Sequence, residues 1–482
     1  MELQKETVMN QLQVGFFSVG LDTYWPQFEG LLDRLMGCHR QIIQHLDKEN
    51  LSVSDAGMVD SSEKSRVAIQ VFKKGQVDFL IVNIATYGLS KLVLPVVKEM
   101  NVPTLVLCLQ PSEAINYDYI NSLGDRGKMT GEWLAYCQAC VAPELGGVFA
   151  KSGIPYRLVT GHLNESTVWE EMNEWITAAQ VVKALKSTRV GIMGHYYDGM
   201  LDVYSDLSKF TSELGTEFVI TEFGELKHHI ETSSEEEVRQ KISEFSEAFV
   251  VSEECSDYEM DRAAKTSLGL DKLVDQYDLG AFAYYFEGKG DPQYENLITS
   301  VIPGFTLMTA RHIPVAGEYE IKNVHAMKIM DLLGAGGSFS EFYGLDFNEG
   351  IVLLGHDGPA HFAIADGKVG LVPLPVYHGK PGKGLSIQMS VKNGPVTLLS
   401  ICETRDGQLK LLCAEGESVP GPTLQIGNTN SRYQFSMGPR EFTNAWSMEG
   451  PSHHMAIGVG HWAATLAKVA DLLGLPFVKV GL

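Results

Sequence analysis

The sequence predicts an α/β protein: two α/β domains built on parallel sheets, followed by a mainly antiparallel β domain, either a sheet or a small barrel. Three observations predict it. Short apolar runs alternate with longer amphipathic stretches through the first third, the alternation begins again after about residue 186, and past about residue 350 strand-like runs crowd together while helical periodicity disappears. At 482 residues the chain exceeds what one hydrophobic core covers. The expected domains are 1–186, 187–330 and 331–482.

In the first domain, Leu12–Val19, Phe79–Asn83 and Thr104–Leu109 read as strands, with helices near Phe28–Leu46 and Leu89–Met100. A helical crossover is the compact way to join parallel strands, so this alternation signals βαβ units, with functional groups where the strands end. A helix over Ser166–Lys186 is expected to open with a Ser/Thr cap and an acidic first turn. The second series comprises strands at Arg189–Met193, Glu217–Ile220 and Leu279–Tyr284. The charged run Ser233–Ala248 reads as a solvated helix face.

The last domain carries the runs Ile351–Leu354, His361–Ala365, Val369–Leu374, Leu385–Val391, Val396–Cys402 and Gln408–Cys413. Asp366-Gly367, Asn393-Gly394 and Asp406-Gly407 are the pairs expected of tight hairpins, where both central positions need positive φ. The chain closes with a helix near Gly460–Leu473, apolar along Trp462, Leu466, Val469 and Leu473, stopped by Gly474 and Pro476.

Composition narrows the function. A formal charge of −22, with no Lys/Arg-rich stripe, repels nucleic acid and anionic membranes. Met1–Asn10 lacks the apolar core of a secretory signal and no stretch approaches a membrane span, so a cytoplasmic protein is expected. Seven scattered cysteines, mostly in apolar runs, read as reduced thiols without disulfides. Cys137 and Cys140 alone have C-x-x-C spacing, that of a redox motif or half a zinc site. Gly334, Gly336 and Gly337 outline a phosphate loop but lack its Lys-Ser/Thr ending, so no nucleotide cofactor is expected.

Several polar residues stand where chemistry would need them. Glu318 ends Pro314-Val-Ala-Gly-Glu318, a small turn after an apolar run, from which a carboxylate can project into a cleft. Glu341 follows Gly336-Gly-Ser-Phe-Ser340 and leads into Phe342 and Tyr343. His356 ends the run Ile351–Gly355, and His453 and His454 form a pair in Gly450-Pro-Ser-His-His. Two carboxylates and two imidazoles suit Mn²⁺, with Co²⁺, Fe²⁺, Ni²⁺ or Mg²⁺ as competitors. Spacing alone also permits a surface-loop Glu318, a satisfied strand-end His356 and a helix-capping histidine pair.

Five motifs, Val159-Thr-Gly-His162, Pro314-Val-Ala-Gly-Glu318, Gly337-Ser-Phe-Ser-Glu341 with Tyr343, Leu354-Gly-His356 and Gly450-Pro-Ser-His-His454, taken in this order resemble the L-arabinose isomerase and L-fucose isomerase superfamily over nearly the whole chain, most closely its arabinose isomerase branch. The resemblance implies two Rossmann-like domains and a β-rich domain, with sites completed between subunits of a trimer or hexamer. It implies that Glu318, Glu341, His356 and His454 hold a divalent metal, that the two glutamates move protons, and that His453 and Tyr343 line a sugar site. Moving a carbonyl between C1 and C2 needs such a carboxylate pair beside a carbonyl-polarising metal.

Two segments depart from the family pattern. Gly20-Leu-Asp-Thr-Tyr-Trp-Pro-Gln27 replaces the usual S-Q-x-L-Y-G, and Met129-Thr-Gly-Glu132 replaces a His-Gly-Gly pattern. Arabinose is therefore not the expected substrate, and Trp25, Gln27 and Gln110 are the candidate sugar contacts there. The expected function is aldose–ketose isomerisation of a pentose, hexose or 6-deoxy sugar through an enediol. The alternatives are epimerisation on the same fold, or a sugar-binding regulatory protein without turnover.

Overall fold

The computed structural model describes residues 11–287, 291–375 and 383–481, so the reading of Met1–Asn10 lies outside the described residues. The chain packs as two compact units, Met9–Lys183 and Ala184–Leu482. Among the described residues no helix is long and apolar enough to cross a membrane.

The first unit is a five-stranded parallel sheet of β1 (Leu12–Val19), β2 (Leu51–Val59), β3 (Phe79–Ile84), β4 (Thr104–Gln110) and β5 (Tyr156–His162), in the order β2-β1-β3-β4-β5. Its inner strands β1, β3 and β4 are apolar and buried nearly throughout, as a sheet covered on both faces requires. Helices Leu31–Leu46, Ser90–Met100 and Ser166–Lys186 fall where the periodicity places them. The expected acidic first turn of the last is absent: it opens Ser166-Thr-Val-Trp169, and Glu170 and Glu171 come one turn later. The strand β2 and the helix Ser62–Lys74 escape a reading of apolar runs because β2 is a half-exposed edge strand with a register shift against β1.

The second unit begins with β6 (Arg189–Gly194), β7 (Glu217–Ile220), β8 (Phe249–Val251), β9 (Ala281–Tyr285) and β10 (Val315–Ala316). Four of these form a parallel sheet in the order β10-β9-β6-β7. The charged run is the helix Glu235–Ala248, which buries Val238 and Phe245 and otherwise faces solvent except at Lys241, paired with Asp271 at 2.8 Å.

Past residue 335 come β11 (Gly336–Asp346), β12 (Ile351–His356), β13 (Val369–Pro373), β14 (Leu385–Gln388), β15 (Gly394–Glu403), β16 (Leu409–Val419), β17 (Thr429–Phe435), β18 (His454–Val459) and β19 (Phe477–Val480). Six of them close an antiparallel barrel, β15-β18-β11-β12-β17-β16, sealed by β15 pairing with β16, while β19 adds in parallel to β16. Closure leaves the barrel without open edges. A small sheet, β14-β13-β8, lies beside it.

Several local expectations fail here for identifiable reasons. His361–Ala365 is no strand: the His361 ring accepts a hydrogen bond from the Ala363 N–H at 3.2 Å and starts a 3₁₀ turn over Phe362–Ile364. Of the three Asx-Gly pairs, only Asp406-Gly407 joins neighbouring antiparallel strands, and there Thr404 pairs with Gln408 around a three-residue loop. Only the glycines, Gly367, Gly394 and Gly407, have positive φ. Helical periodicity also returns in Pro439–Met448, where Phe442 and Trp446 are buried one turn apart.

Between the parallel sheet and the barrel runs a helix, Ile321–Leu332, whose residues are all buried, polar ones included. Its charged and imidazole groups have defined partners, while the side-chain amide of Asn323 is buried without one. Asp331 takes Lys328 at 3.2 Å, His312 at 2.9 Å and His361 at 3.4 Å, which outweigh burial and hold its carboxyl well below the ordinary range. His325 donates through Nδ1 to the Ile321 carbonyl at 2.7 Å, and its Nε2 meets the Thr216 hydroxyl at 3.0 Å.

Burial pushes the His325 imidazole down to about 4. An unfolded histidine titrates near ~6.5, so between roughly 6.5 and 4 the unfolded chain binds a proton that the folded chain refuses. Stability must fall as pH drops through that window, by roughly 3 kcal/mol from this group. His325→Gln keeps a donor and an acceptor but cannot titrate. Urea midpoints at pH 7 and 4.5 should therefore converge in the variant relative to the parent, and equal acid sensitivity would exclude His325 as the cause.

Candidate functional site

The site starts from a strained turn. β10 ends at Ala316, and the Glu320 N–H donates to the Gly317 carbonyl at 3.0 Å, closing a turn whose central residues are Glu318, φ 56°, and Tyr319, φ 59°. Two successive non-glycine residues in the left-handed region cost ~1–2 kcal/mol each. A bond from the Tyr319 N–H to the Tyr284 carbonyl, 3.0 Å, ties the turn to β9. The result separates two carboxylates by one residue: Glu318 lines a cavity of about 1300 Å³, and Glu320 is fully buried.

The barrel supplies the facing groups. Glu341 on β11 stands in register with Gly355 of β12 and His454 of β18, and His356 follows Gly355. Gly355 must be small, since a Cβ there would lie 2.4 Å from the Thr429 carbonyl and 2.8 Å from the Tyr343 ring. Phe339 packs against both the His356 and His454 rings, at 4.5 and 4.2 Å between centroids.

Three imidazoles are held alike. His356 Nδ1 donates to the Asp357 carbonyl at 2.5 Å, His453 Nδ1 lies 2.6 Å from Asp202 Oδ2, and His454 Nδ1 bonds the buried Glu320, whose other oxygen takes the Ser452 hydroxyl. Each acceptor is an oxygen, so each Nδ1 carries a proton and each Nε2 is turned toward the site. All three Nε2 atoms face Glu318: His356 at 4.0 Å from Oε1, His453 at 3.6 Å and His454 at 3.5 Å from Oε2. Glu318 Oε2 and His454 Nε2 are buried with no hydrogen-bond partner.

Electrostatics follow from this packing. Burial pushes the Glu318 carboxyl up, but the three surrounding imidazoles, His453 first, outweigh it and leave it below its ordinary value. Glu341, buried and near Glu318, is raised despite His454 and His453. The two carboxyls are thus pushed apart, the arrangement that lets one hold a proton while the other is charged. Burial lowers His356 to about 3 and keeps it neutral. His453 is also desolvated, yet Glu318 and Asp202 raise it to about 9.

The residues present fit a divalent cation. Ligands about 2.1 Å from a shared ion stand roughly 3 to 4 Å apart, which matches separations too long here for hydrogen bonds. Ligand atoms of Glu318, His453 and His454 all lie within 4.8 Å of one another. The structure thus brings Glu318, Glu341, His356, His453 and His454 to one place. Tyr343 joins them on the cavity wall, its hydroxyl bonded by Asn428 at 2.8 Å, and Asn428 also binds Asp357 at 2.7 Å.

Trp25, Gln27 and Gln110 are not among these residues: the cavity lining comes wholly from the second unit, and they belong to the first. There Trp25 Nε1 donates to Asp60 at 2.8 Å, Gln27 bonds the Thr23 carbonyl at 2.6 Å, and Gln110 ends β4. Sequence reading missed Asp202, Glu320, Asp357 and Asn428. Glu320 had a signal, a second acid two residues past Glu318; Asp202, some 250 positions from His453, had none.

Outer partners that orient ligating histidines typically carry 10- to 100-fold in metal affinity. If the cluster holds a divalent cation, Glu320→Gln should weaken its binding by about that factor, read by calorimetric titration with divalent metal salts, with little change in melting temperature. Unchanged affinity would mean that the Glu320 contact does not orient a ligand.

Residues 355–481, which include His356 and His454, match the family described as L-fucose isomerase, C-terminal domain. Over longer spans the chain is similar to L-arabinose isomerase of a Thermotoga species, 24% identical over 464 residues, covering 91% of this chain and 88% of that one. It is similar to L-arabinose isomerase 1 of Bacillus licheniformis, 22% identical over 82% of this chain and 79% of the other. L-arabinose isomerase of Vibrio parahaemolyticus is 23% identical over 98% and 95%. With the α/β sheets, the closed barrel and the clustered Glu and His side chains, these similarities, all at low identity, support membership in the L-arabinose isomerase and L-fucose isomerase superfamily.

Proposed function

We propose that this protein is a divalent-metal-dependent aldose–ketose isomerase acting on a free pentose, hexose or 6-deoxy sugar. The observation that carries the reading is the facing pair Glu318 Oε2 and His454 Nε2, two buried atoms 3.5 Å apart without hydrogen-bond partners, the other ring nitrogen of His454 being bound to Glu320. Such a pair is repulsive unless a cation lies against both. Glu318, Glu341, His356 and His454 are the proposed ligands, with Mn²⁺ the first candidate and Co²⁺, Mg²⁺, Fe²⁺ and Ni²⁺ behind it. His453, held by Asp202 through Nδ1 and turned toward Glu318 through Nε2, is the proposed sugar contact beside them.

A bound cation supplies polarisation of the sugar carbonyl and stabilisation of the developing negative charge. The chain's own groups move the protons. One of Glu318 and Glu341 takes the proton from C2 of the aldose, the C1 oxygen gains a proton, and an enediol results. Return of a proton to C1 with loss of the proton on O2 gives the ketose. His453, steadied by Asp202, and Tyr343, steadied by Asn428, are placed to bind sugar hydroxyls. The names of the relatives support the reaction class, and the altered Gly20–Gln27 segment keeps Trp25, Gln27 and Gln110 as proposed contacts that set the sugar apart from arabinose.

Incubation with a panel of free sugars and Mn²⁺ should give a ketose from at least one aldose, and Glu341→Gln should lower that turnover by roughly 10² to 10⁴. An epimeric aldose in place of a ketose, or no product with any of the five metals, would overturn the proposal. Activity of the variant within a few-fold of the parent would remove Glu341 from the chemistry. Self-association as a trimer or hexamer is part of the same proposal, and sedimentation velocity showing only monomer at working concentration would dismiss it.

A further inference from the structure

The first unit holds a pair of sulfurs that sugar chemistry does not use. The helix Arg126–Leu134 ends in a turn, Ala135-Tyr-Cys137-Gln-Ala-Cys140, that runs straight into the helix Val141–Ser152. The Cys137 N–H donates to the Leu134 carbonyl at 3.3 Å and the Val141 N–H to the Gln138 carbonyl at 3.1 Å. Gln138, itself buried, bonds the Ala85 and Ala135 carbonyls at 2.9 and 2.8 Å and pins the turn from inside. The turn brings Cys137 Sγ and Cys140 Sγ to 3.0 Å, closer than two non-bonded sulfurs rest and about one ångström beyond a disulfide bond.

The two thiols differ as an attacking and a resolving sulfur must. Cys140 is exposed at the N-cap of a 12-residue helix, its Sγ 3.0 Å from the Cys137 carbonyl oxygen, and is open to a reagent from solvent. Cys137 is 5% exposed, packed with Leu31, Leu35, Met58 and Leu134 in an apolar cluster that also takes in Trp25. That burial, together with Cys140 beside it, pushes the Cys137 thiol up to about 12. Cys108, Cys402 and Cys413 are buried in the core and Cys38 and Cys255 are half-buried, so Cys140 is the one exposed thiol among the seven.

We propose that Cys137 and Cys140 form a reversible thiol modification site, a dithiol that small-molecule disulfides oxidise to an intramolecular disulfide. The Cys140 thiolate attacks one sulfur of R–S–S–R, forming a mixed disulfide and releasing one R–S⁻, which takes the proton lost by Cys140. Cys137 then gives up its proton and attacks the Cys140 sulfur, expelling the second R–S⁻, which leaves as R–SH. Two thiols are oxidised by two electrons, and one disulfide is reduced to two thiols.

The experiment treats the full-length protein with oxidised glutathione, quenches by alkylation and locates the products by intact mass and peptide mapping. The parent should lose two hydrogens, carry a Cys137–Cys140 disulfide before any other cysteine reacts, and recover both thiols on reduction. Cys137→Ala should retain a single glutathione on Cys140, and Cys140→Ser should retain none at either position. A parent that accumulates a lasting glutathione adduct on Cys140 to the same extent as Cys137→Ala, or that reacts at Cys38 while the pair stays reduced, overturns the proposal. The parent's own map decides the matter even if Cys137→Ala does not fold.

Discussion

Two unsatisfied acceptors held face to face are the constraint on which the site depends. Glu318 Oε2 and His454 Nε2 are both buried, both without hydrogen bonds, and 3.5 Å apart. Left as they are, they destabilise the fold, since an unpaired buried polar group costs ~1–3 kcal/mol and a charged one more. His453, 3.6 Å from the same Glu318 oxygen, relieves part of this on the carboxylate side. Glu320 does not relieve the histidine side, because it accepts the hydrogen bond of His454 Nδ1 and leaves Nε2 directed at the carboxylate.

The scaffold accepts further cost to keep the groups there. Glu318 and Tyr319 both occupy left-handed backbone, a conformation maintained by the bond to Tyr284 and by the burial of Glu320 beneath the turn. On the other side, a closed barrel fixes β12, β11 and β18 as neighbours, so Gly355, Glu341 and His454 align by register rather than by flexible reach. Closure of the barrel and strain in the turn have the same effect: the donor atoms are set before any ligand arrives. The buried helix Ile321–Leu332, carrying Lys322, His325, Lys328 and Asp331 with their partners, anchors the turn at its C-terminal side.

Sequence periodicity was most informative where one physical requirement dominated. β1, β3 and β4 are buried on both faces, so their apolar runs mark them within a residue, and the helices Ser90–Met100 and Ser166–Lys186 show through their amphipathic spacing or length. It was least informative where side-chain bonds override propensity. The run His361–Ala365 looks like a strand in composition, yet the His361 ring captures a backbone N–H and Asp331 captures the ring. The half-exposed edge strand β2 shows too little apolar contrast to be read, and Pro439–Met448 hides its two buried aromatics among polar residues.

By itself the sequence determined the order of layers and the small set of carboxylates and imidazoles that stand beside glycine turns and strand ends, because those features are local: apolar alternation, turn chemistry, a polar residue closing an apolar run. Tertiary structure alone decided what those side chains do to one another. The pairing of His453 with Asp202 and of His454 with Glu320 joins residues 251 and 134 positions apart, and the turning of each Nε2 toward the site follows from those contacts. No local pattern encodes them, since they arise from barrel closure and from the packing of one strained turn against it.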